Sequence, residues 1–334
     1  MRLVTISDIR AAAELVAPAV LRTPLLPCAW ANPDRPLWLK PENLQPVGAF
    51  KIRGAYHALA KLPADVRALG VVAYSSGNHA QAVAYAAKLF GVPAAIVVPE
   101  NTPQVKIDAT QSHGAEVHVV PVTERESRAR YLAHQRGSTL IPPFDHVDVI
   151  AGQGTLGLEI AEDLPSVETV LVPVSGGGLI SGVAVAIKSL CPDARVIGVE
   201  PALAADAADS LRAGRRSASW SPAMRARTIA DGLRAEPSEL TFAHMRELVD
   251  GIVTVTEDEI RAAVPLLARR SRLIAEPSGA VVVAAYLNRR EELPLGKTVA
   301  VVSGGNLDPE LLAELLAVRD TPGPGSPVVQ GPPN

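Results

Sequence analysis

The segment "TVLVPVSGGGLISGVAVAIKSL" (169–190) passes from a continuous apolar run, through three glycines, into a helical pattern. An apolar run without polar alternation reads as a strand covered on both faces, as in a parallel sheet between layers of helix. The same unit recurs outward in both directions. "PLWLK", "GVVAYS", "AAIVV" and "AEVHVV" on one side, and "RVIGVE", "GIVTV" and "TVAVVS" on the other, read as further strands. Between them, 78–90, 123–135, 179–190 and 256–270 carry amphipathic helix patterns. Thr256, followed by Glu257, Asp258 and Glu259, is a capped helix start whose acids read as solvated. Strands alternating with helices predict an α/β architecture with parallel sheets. No linker divides the chain cleanly, so it is expected to cross more than once between any two domains.

Two other strands end in the same way. "VVAY" leads into "SSGNH" (75–79) and "VAVV" into "SGGN" (303–306). In open α/β sheets, ligands bind beyond the carboxyl ends of the strands. Glycines there let the backbone approach a ligand, and helix N-terminal N–H groups bind anions. Glycine is also a routine breaker between strand and helix, so one such turn says little; three of a kind point to a shared site. Gly176, Gly177 and Gly178 can wrap a phosphate on the dipole of the helix that follows. A dinucleotide fingerprint is the rival, with Glu200 about 20 residues downstream. It fails because Ser181 occupies the third glycine position.

The 32 basic and 35 acidic residues leave a net charge of −3, with no basic field for nucleic acid or anionic lipid. Two cysteines, Cys28 and Cys191, imply a reducing compartment rather than a disulfide framework. The N-terminus lacks a signal-peptide core, and no apolar run approaches the ~20 residues of a membrane span. A cytoplasmic protein is expected. The Pro/Gly-rich end, 320–334, reads as a disordered tail.

A lysine stands out in "LQPVGAFKIRGAYHAL" (44–59). Lys51 opens a helical run directly behind Val47, Gly48, Ala49 and Phe50. A cofactor carrying both a phosphate and an aldehyde needs an anion cradle and an amine. Pyridoxal phosphate is such a cofactor, and a lysine that loses its proton in a partly apolar pocket can hold it as a Schiff base.

"PENLQPVGAFKIRGA", "SSGNHAQAVAYAAKLFGVPAAIVVPENTPQVKIDAT", "IAGQGTLGLEI", "VPVSGGGLISG", "IADGL", "VTEDEI", "EPSGA" and "SGGN" follow one another along the chain. In this order the sequence resembles the serine/threonine dehydratase and serine racemase branch of the fold-type II pyridoxal-phosphate enzymes, which are tryptophan synthase beta-like. The resemblance spans roughly residues 6–318. It implies two open, twisted, mostly parallel sheets flanked by helices. A large cofactor-binding domain (1–68 and 146–319) would carry a small mobile domain (69–145) that closes over the substrate, and two copies would form a homodimer.

The resemblance also implies roles. Lys51 would hold the cofactor and act as base at the substrate Cα, and Phe50 would flank the ring. Asn78 would hydrogen-bond the ring oxygen. Gly176, Gly177, Gly178 and Leu179 would hold the phosphate, and Ser303 would meet the pyridine nitrogen. Ser75, Ser76, Gly77, Asn78 and His79 would grip the substrate carboxylate. Some members resemble one another in a Mg²⁺ or Ca²⁺ site that maps onto Glu200, the carbonyl of Ala204, and Asp206. Many relatives have threonine and serine where this chain has Val47 and Ala49, and the missing hydroxyls are expected to bear on substrate preference. A regulatory domain after the core, with feedback control of the kind seen in longer biosynthetic threonine dehydratases, is not expected. The implied reaction is β-elimination of L-threonine or L-serine to a 2-oxo acid and ammonia. The alternatives are racemisation, with Ser76 delivering the second proton, and dehydration of 3-hydroxyaspartate or a β-aryl serine.

Overall fold

The computed structural model describes residues 2–75 and 77–317. The expectations for Ser76 and for the tail at 320–334 fall outside the described residues. Ten strands form among the described residues: β1 (Leu26–Pro27), β2 (Leu37–Pro41), β3 (Val71–Tyr74), β4 (Ala94–Pro99), β5 (Glu116–Val120), β6 (Thr139–Leu140), β7 (Thr169–Pro173), β8 (Arg195–Pro201), β9 (Gly251–Val255) and β10 (Thr298–Val302). They make two sheets, ordered β1-β2-β10-β7-β8-β9 and β5-β4-β3-β6. Every pairing is parallel except β1 with β2. This is the α/β architecture read from the sequence.

The unbroken apolar runs follow from the two-residue period of a strand. Leu171, Ile197, Ala300 and Val302 enter one apolar cluster of the six-stranded sheet, with Val281 and Ala284 of the helix Pro277–Asn288. Their alternates, Val170, Val172, Val196, Val299 and Val301, enter another, with Leu156 and Ile160 of the helix Val147–Asp163 and with Val183 of the helix Gly178–Leu190. Both faces are thus apolar because both are covered. The last two helices approach so closely that a Cβ on Gly182 would meet Gly154 N at 2.5 Å, and no larger side chain fits there. In the four-stranded sheet, Val71, Ala73 and Ile96 pack with Ile52 and Ala55 of the helix Lys51–Lys61 and with Val83 of the helix Asn78–Phe90.

The cap at Thr256 holds, but the acids behind it are not all solvated: Glu257 accepts from Ile229 N–H at 2.7 Å, and Glu259 pairs with Arg289 at 2.7 Å. Thr256 and Glu259 form a reciprocal capping box at Glu257–Leu266. That helix stops short of the expected Arg270: Pro265 sits inside it, and the chain continues as a π-helical turn, Leu267–Ser271. The three glycine turns all lie at carboxyl ends of strands. Two follow the neighbouring strands β7 and β10, and the third follows β3 in the other sheet. No helix among the described residues is long and apolar enough to cross a membrane.

Candidate active site

The loop before Lys51 is zipped onto the turn after β10. Phe50 N–H donates to the Ser303 carbonyl at 3.0 Å, Gly305 N–H donates to the Gly48 carbonyl at 2.9 Å, and Ala49 bridges Gly304. This fixes the start of the Lys51 helix beside β10. Lys51 Nζ donates to the Pro143 carbonyl at 2.8 Å and lies 5.1 Å from the centre of the Phe50 ring. Burial pushes the amine down to about 8. An amine so placed is a usable nucleophile and base near neutral pH.

The three-glycine turn faces the same spot. Gly177 has φ +84°, a conformation glycine adopts without strain, and the helix behind it has no side-chain cap and no acid in its first turn. Its first N–H groups are therefore available to an anion. The ring of Phe144 lies where a side chain on Gly176 would sit, and Phe144 Cβ is 2.8 Å from the position of a Cβ on Gly178. The loop 141–144 thus carries Pro143 to Lys51 and Phe144 to the glycine turn. Neither residue was singled out from the sequence, because "IPPF" carries no motif of its own.

The third turn closes the group. Ser75 Oγ accepts from Gly77 N–H at 3.2 Å. Asn78 opens its helix and is held from two sides. Its Nδ2 donates to Glu276 Oε1 at 2.7 Å, and its Oδ1 accepts from Asn306 at 2.9 Å. His79 is buried. Its Nε2–H donates to the Ile141 carbonyl at 2.9 Å, which leaves Nδ1 as a buried acceptor without a partner. Burial, then the nearby Lys51 charge, pushes His79 down to about 3, so the ring is neutral. Ser303 is buried where β10 ends. Val47 joins the apolar cluster under the four-stranded sheet, and Ala49 is fully buried against Gly304, so both positions serve packing.

The acids mapped to a metal lie one strand over, at the end of β8. Glu200 accepts the backbone N–H groups of Ala207 and Ala208, at 3.1 and 2.8 Å, and so caps the helix Asp206–Ala213. Asp206 Oδ2 is buried without a partner. Burial, then the charge of Asp206, drives Glu200 well above the usual carboxylate range, and burial pushes Asp206 up to about 6. Among the described residues, no three His, Cys, Asp or Glu side chains gather as a metal cluster.

A lysine amine, a backbone anion cradle and a neutral polar wall at converging strand ends define a site for a phosphate-bearing aldehyde cofactor. Residues 16–304 match the family described as pyridoxal-phosphate dependent enzyme, and the chain belongs to that family. It is 42% identical to the L-threo-3-hydroxyaspartate ammonia-lyase of Saccharomyces cerevisiae, over 95% of this chain and 97% of the yeast protein. It is 44% identical to the L-threonine ammonia-lyase of Thermotoga maritima, over 94% of this chain and 78% of that protein. The crystal structure of serine racemase from Dictyostelium discoideum superposes with a TM-score of 0.85 at 40% identity, covering 91% of this chain and 99% of that one. The residues present fit pyridoxal phosphate: Lys51 has a lowered pKa, and the helix start behind the glycine turn has no side-chain cap on its N–H groups.

Proposed function

We propose that this chain removes water from a small β-hydroxy-α-amino acid, with L-threonine and L-serine as substrates, and releases a 2-oxo acid and ammonia. The observation that carries this reading is the Lys51 amine, lowered to about 8 and aimed by the Pro143 carbonyl beside the three-glycine turn. Bound pyridoxal phosphate supplies the sink for the electron pair left at the substrate Cα. Lys51 Nζ would hold the cofactor, and its amine would then take the α-proton. The N–H groups of Gly176, Gly177, Gly178 and Leu179 would hold the phosphate, Phe50 would flank the ring, and Ser303 would meet the ring nitrogen. A neutral serine does not enforce protonation there, which suits elimination over transamination. Ser75, Ser76, Gly77, Asn78 and His79 hold the substrate carboxylate at a helix N-terminus.

Residues 69–145 act as a small domain closing against 1–68 and 146–319, and closure excludes water from the reacting centre. Cys28 and Cys191 are both free, which supports a cytoplasmic setting; the working unit is read as a homodimer from the family resemblance. Glu200, Asp206 and the Ala204 carbonyl hold Mg²⁺ or Ca²⁺, a reading supported by the unpartnered Asp206 oxygen and the repulsion within the acid pair. Either cation is expected to raise the Tm by ~2 °C or more, and Asp206→Asn to abolish that rise. A Tm that neither cation moves would remove the metal from the account.

Ammonia and 2-oxo acid release are to be assayed with L-threonine, L-serine, 3-hydroxyaspartate and a β-aryl serine, with chiral chromatography of the recovered serine. Ammonia from threonine and serine, with the highest kcat/KM among the four, is the expected result. D-serine without ammonia would reassign the chain to racemisation by way of Ser76. A clear preference for 3-hydroxyaspartate would reassign the substrate.

A further inference from the structure

We propose that Glu276 and Asn306 clamp the Asn78 carboxamide from both sides, which fixes its orientation and keeps one amide N–H free for the ring oxygen of the cofactor. This rests on the reading of Asn78 as a cofactor contact. It adds a positioning residue, Glu276, to which no role had been attached.

The orientation follows from chemistry rather than from atom assignment. Asn306 Nδ2 donates to the Val47 carbonyl at 2.7 Å, and a backbone carbonyl only accepts. The Asn306 atom at that carbonyl is therefore nitrogen, and its second N–H reaches Asn78 at 2.9 Å. The Asn78 atom facing it must be the oxygen. Asn78 Nδ2 is then left to face Glu276 Oε1 at 2.7 Å, where a carboxyl oxygen accepts. The Val47 carbonyl fixes the orientation from the Asn306 end, the Glu276 carboxyl oxygen accepts in that same orientation, and one Nδ2–H remains unused. The clamp joins four elements: the turn before Lys51, the start of the Asn78 helix, the residue before the helix Pro277–Asn288, and the turn after β10.

The surroundings are built around this contact. Glu276 N–H donates to the Gly304 carbonyl at 3.1 Å. A side chain on Gly304 would meet Glu276 Oε1 at 2.5 Å and Asn78 Nδ2 at 3.1 Å, so glycine is needed there. Glu276 is 3% exposed. Burial, then the charge of Asp231, pushes it up to about 8, against the opposing effects of the Asn78 hydrogen bond, Lys106 and the Asn306 backbone N–H. Its carboxyl can therefore hold a proton near neutral pH while still accepting from Asn78. Ionisation at higher pH places a charge against the Asn78 amide.

The test uses the full-length chain loaded with pyridoxal phosphate and reads the visible spectrum across pH, the cofactor dissociation constant and the Tm. Wild type sets the reference. Glu276→Gln can still accept through its amide oxygen, so it is expected to bind the cofactor within about threefold of wild type and to lose a spectral titration near pH 8. Glu276→Leu and Asn306→Ala each free the amide to turn, and are expected to shift the visible band and weaken cofactor binding by about tenfold. Asn306 is half-buried in a turn, so its variant decides the matter should Glu276→Leu fail to fold. Variants that lower only the Tm, with band and affinity unchanged, would overturn the clamp. A wild type without a visible band would instead overturn the cofactor reading, and this inference with it.

Discussion

Lys51 has its amine lowered from the usual 10.5 to about 8 by burial. At pH 7.5 about a quarter of such amines are neutral, against about one in a thousand on an exposed lysine. In the cofactor-free protein, competitive labelling with an amine reagent, followed by mass spectrometry, should show Lys51 reactivity reaching a plateau with a midpoint near pH 8. Surface lysines should still be rising there. A midpoint near 10 would show that the pocket does not tune the amine. Glu276 runs in the opposite direction. Its value rises from 4.5 unfolded to about 8 folded, so its contribution to stability is complete below about pH 4.5 and is lost as pH climbs through 8. The difference in Tm between the cofactor-free wild type and Glu276→Gln should therefore move against wild type between pH 5 and 9. A difference independent of pH would mean that Glu276 is ionised throughout.

At the scale of elements, the Lys51 helix is seated on a buried set of charges. Arg53, two residues past Lys51, donates through Nε and Nη2 to Glu42 at 2.7 and 2.9 Å, and through Nη1 and Nη2 to Glu159 at 2.7 and 2.9 Å. Lys40 Nζ donates to Glu159 at 2.5 Å and to the Thr23 carbonyl at 2.6 Å. Two cations and two anions balance, and the set ties β2, the lysine loop and the helix Val147–Asp163 to one helix face. Burial alone would raise Glu42, but the adjacent Arg53 holds it below its usual value. Removing one partner strands a charge in the core. Arg53→Met is expected to cost about 3–5 kcal/mol in chemical denaturation, with part recovered in Arg53→Met/Glu42→Gln. A loss under about 1 kcal/mol would show that the set is not holding the helix.

Across the whole molecule, Lys106 of the helix Gln104–Gln111 pairs with Asp231 at 2.6 Å, spanning from the side of the four-stranded sheet to that of the six-stranded one. The pair is partly exposed, so its worth is modest. Lys106→Ala is expected to raise KM roughly two- to fivefold with kcat little changed, and the gap from wild type should narrow in ~0.5 M KCl. An unchanged KM would show that the pair plays no part in the proposed closure of the small domain. Eight of the strands were legible as apolar runs: burial on both faces writes continuous hydrophobicity into inner strands such as β4, β7 and β10, while the edge strand β5 keeps a Val-rich run although it is half-exposed. The two-residue strands β1 and β6 are too short to show a period. The glycine turns were legible because the close approach of Phe144 to Gly176 and Gly178, and of Glu276 to Gly304, restricts residue type. The partners that orient the site were not. Glu276 meets Asn78 across 198 positions, and Phe144 and Pro143 reach the site only through the fold. Val47 and Ala49, where many relatives carry hydroxyls, are both buried and so pack in the core. The most direct measurement is borohydride reduction of the protein loaded with pyridoxal phosphate, followed by peptide mapping of wild type and Lys51→Ala. A visible band that reduction abolishes, with the label on Lys51 alone and absent from the variant, is the predicted result. A label on another lysine, or an unlabelled wild type, would contradict the account.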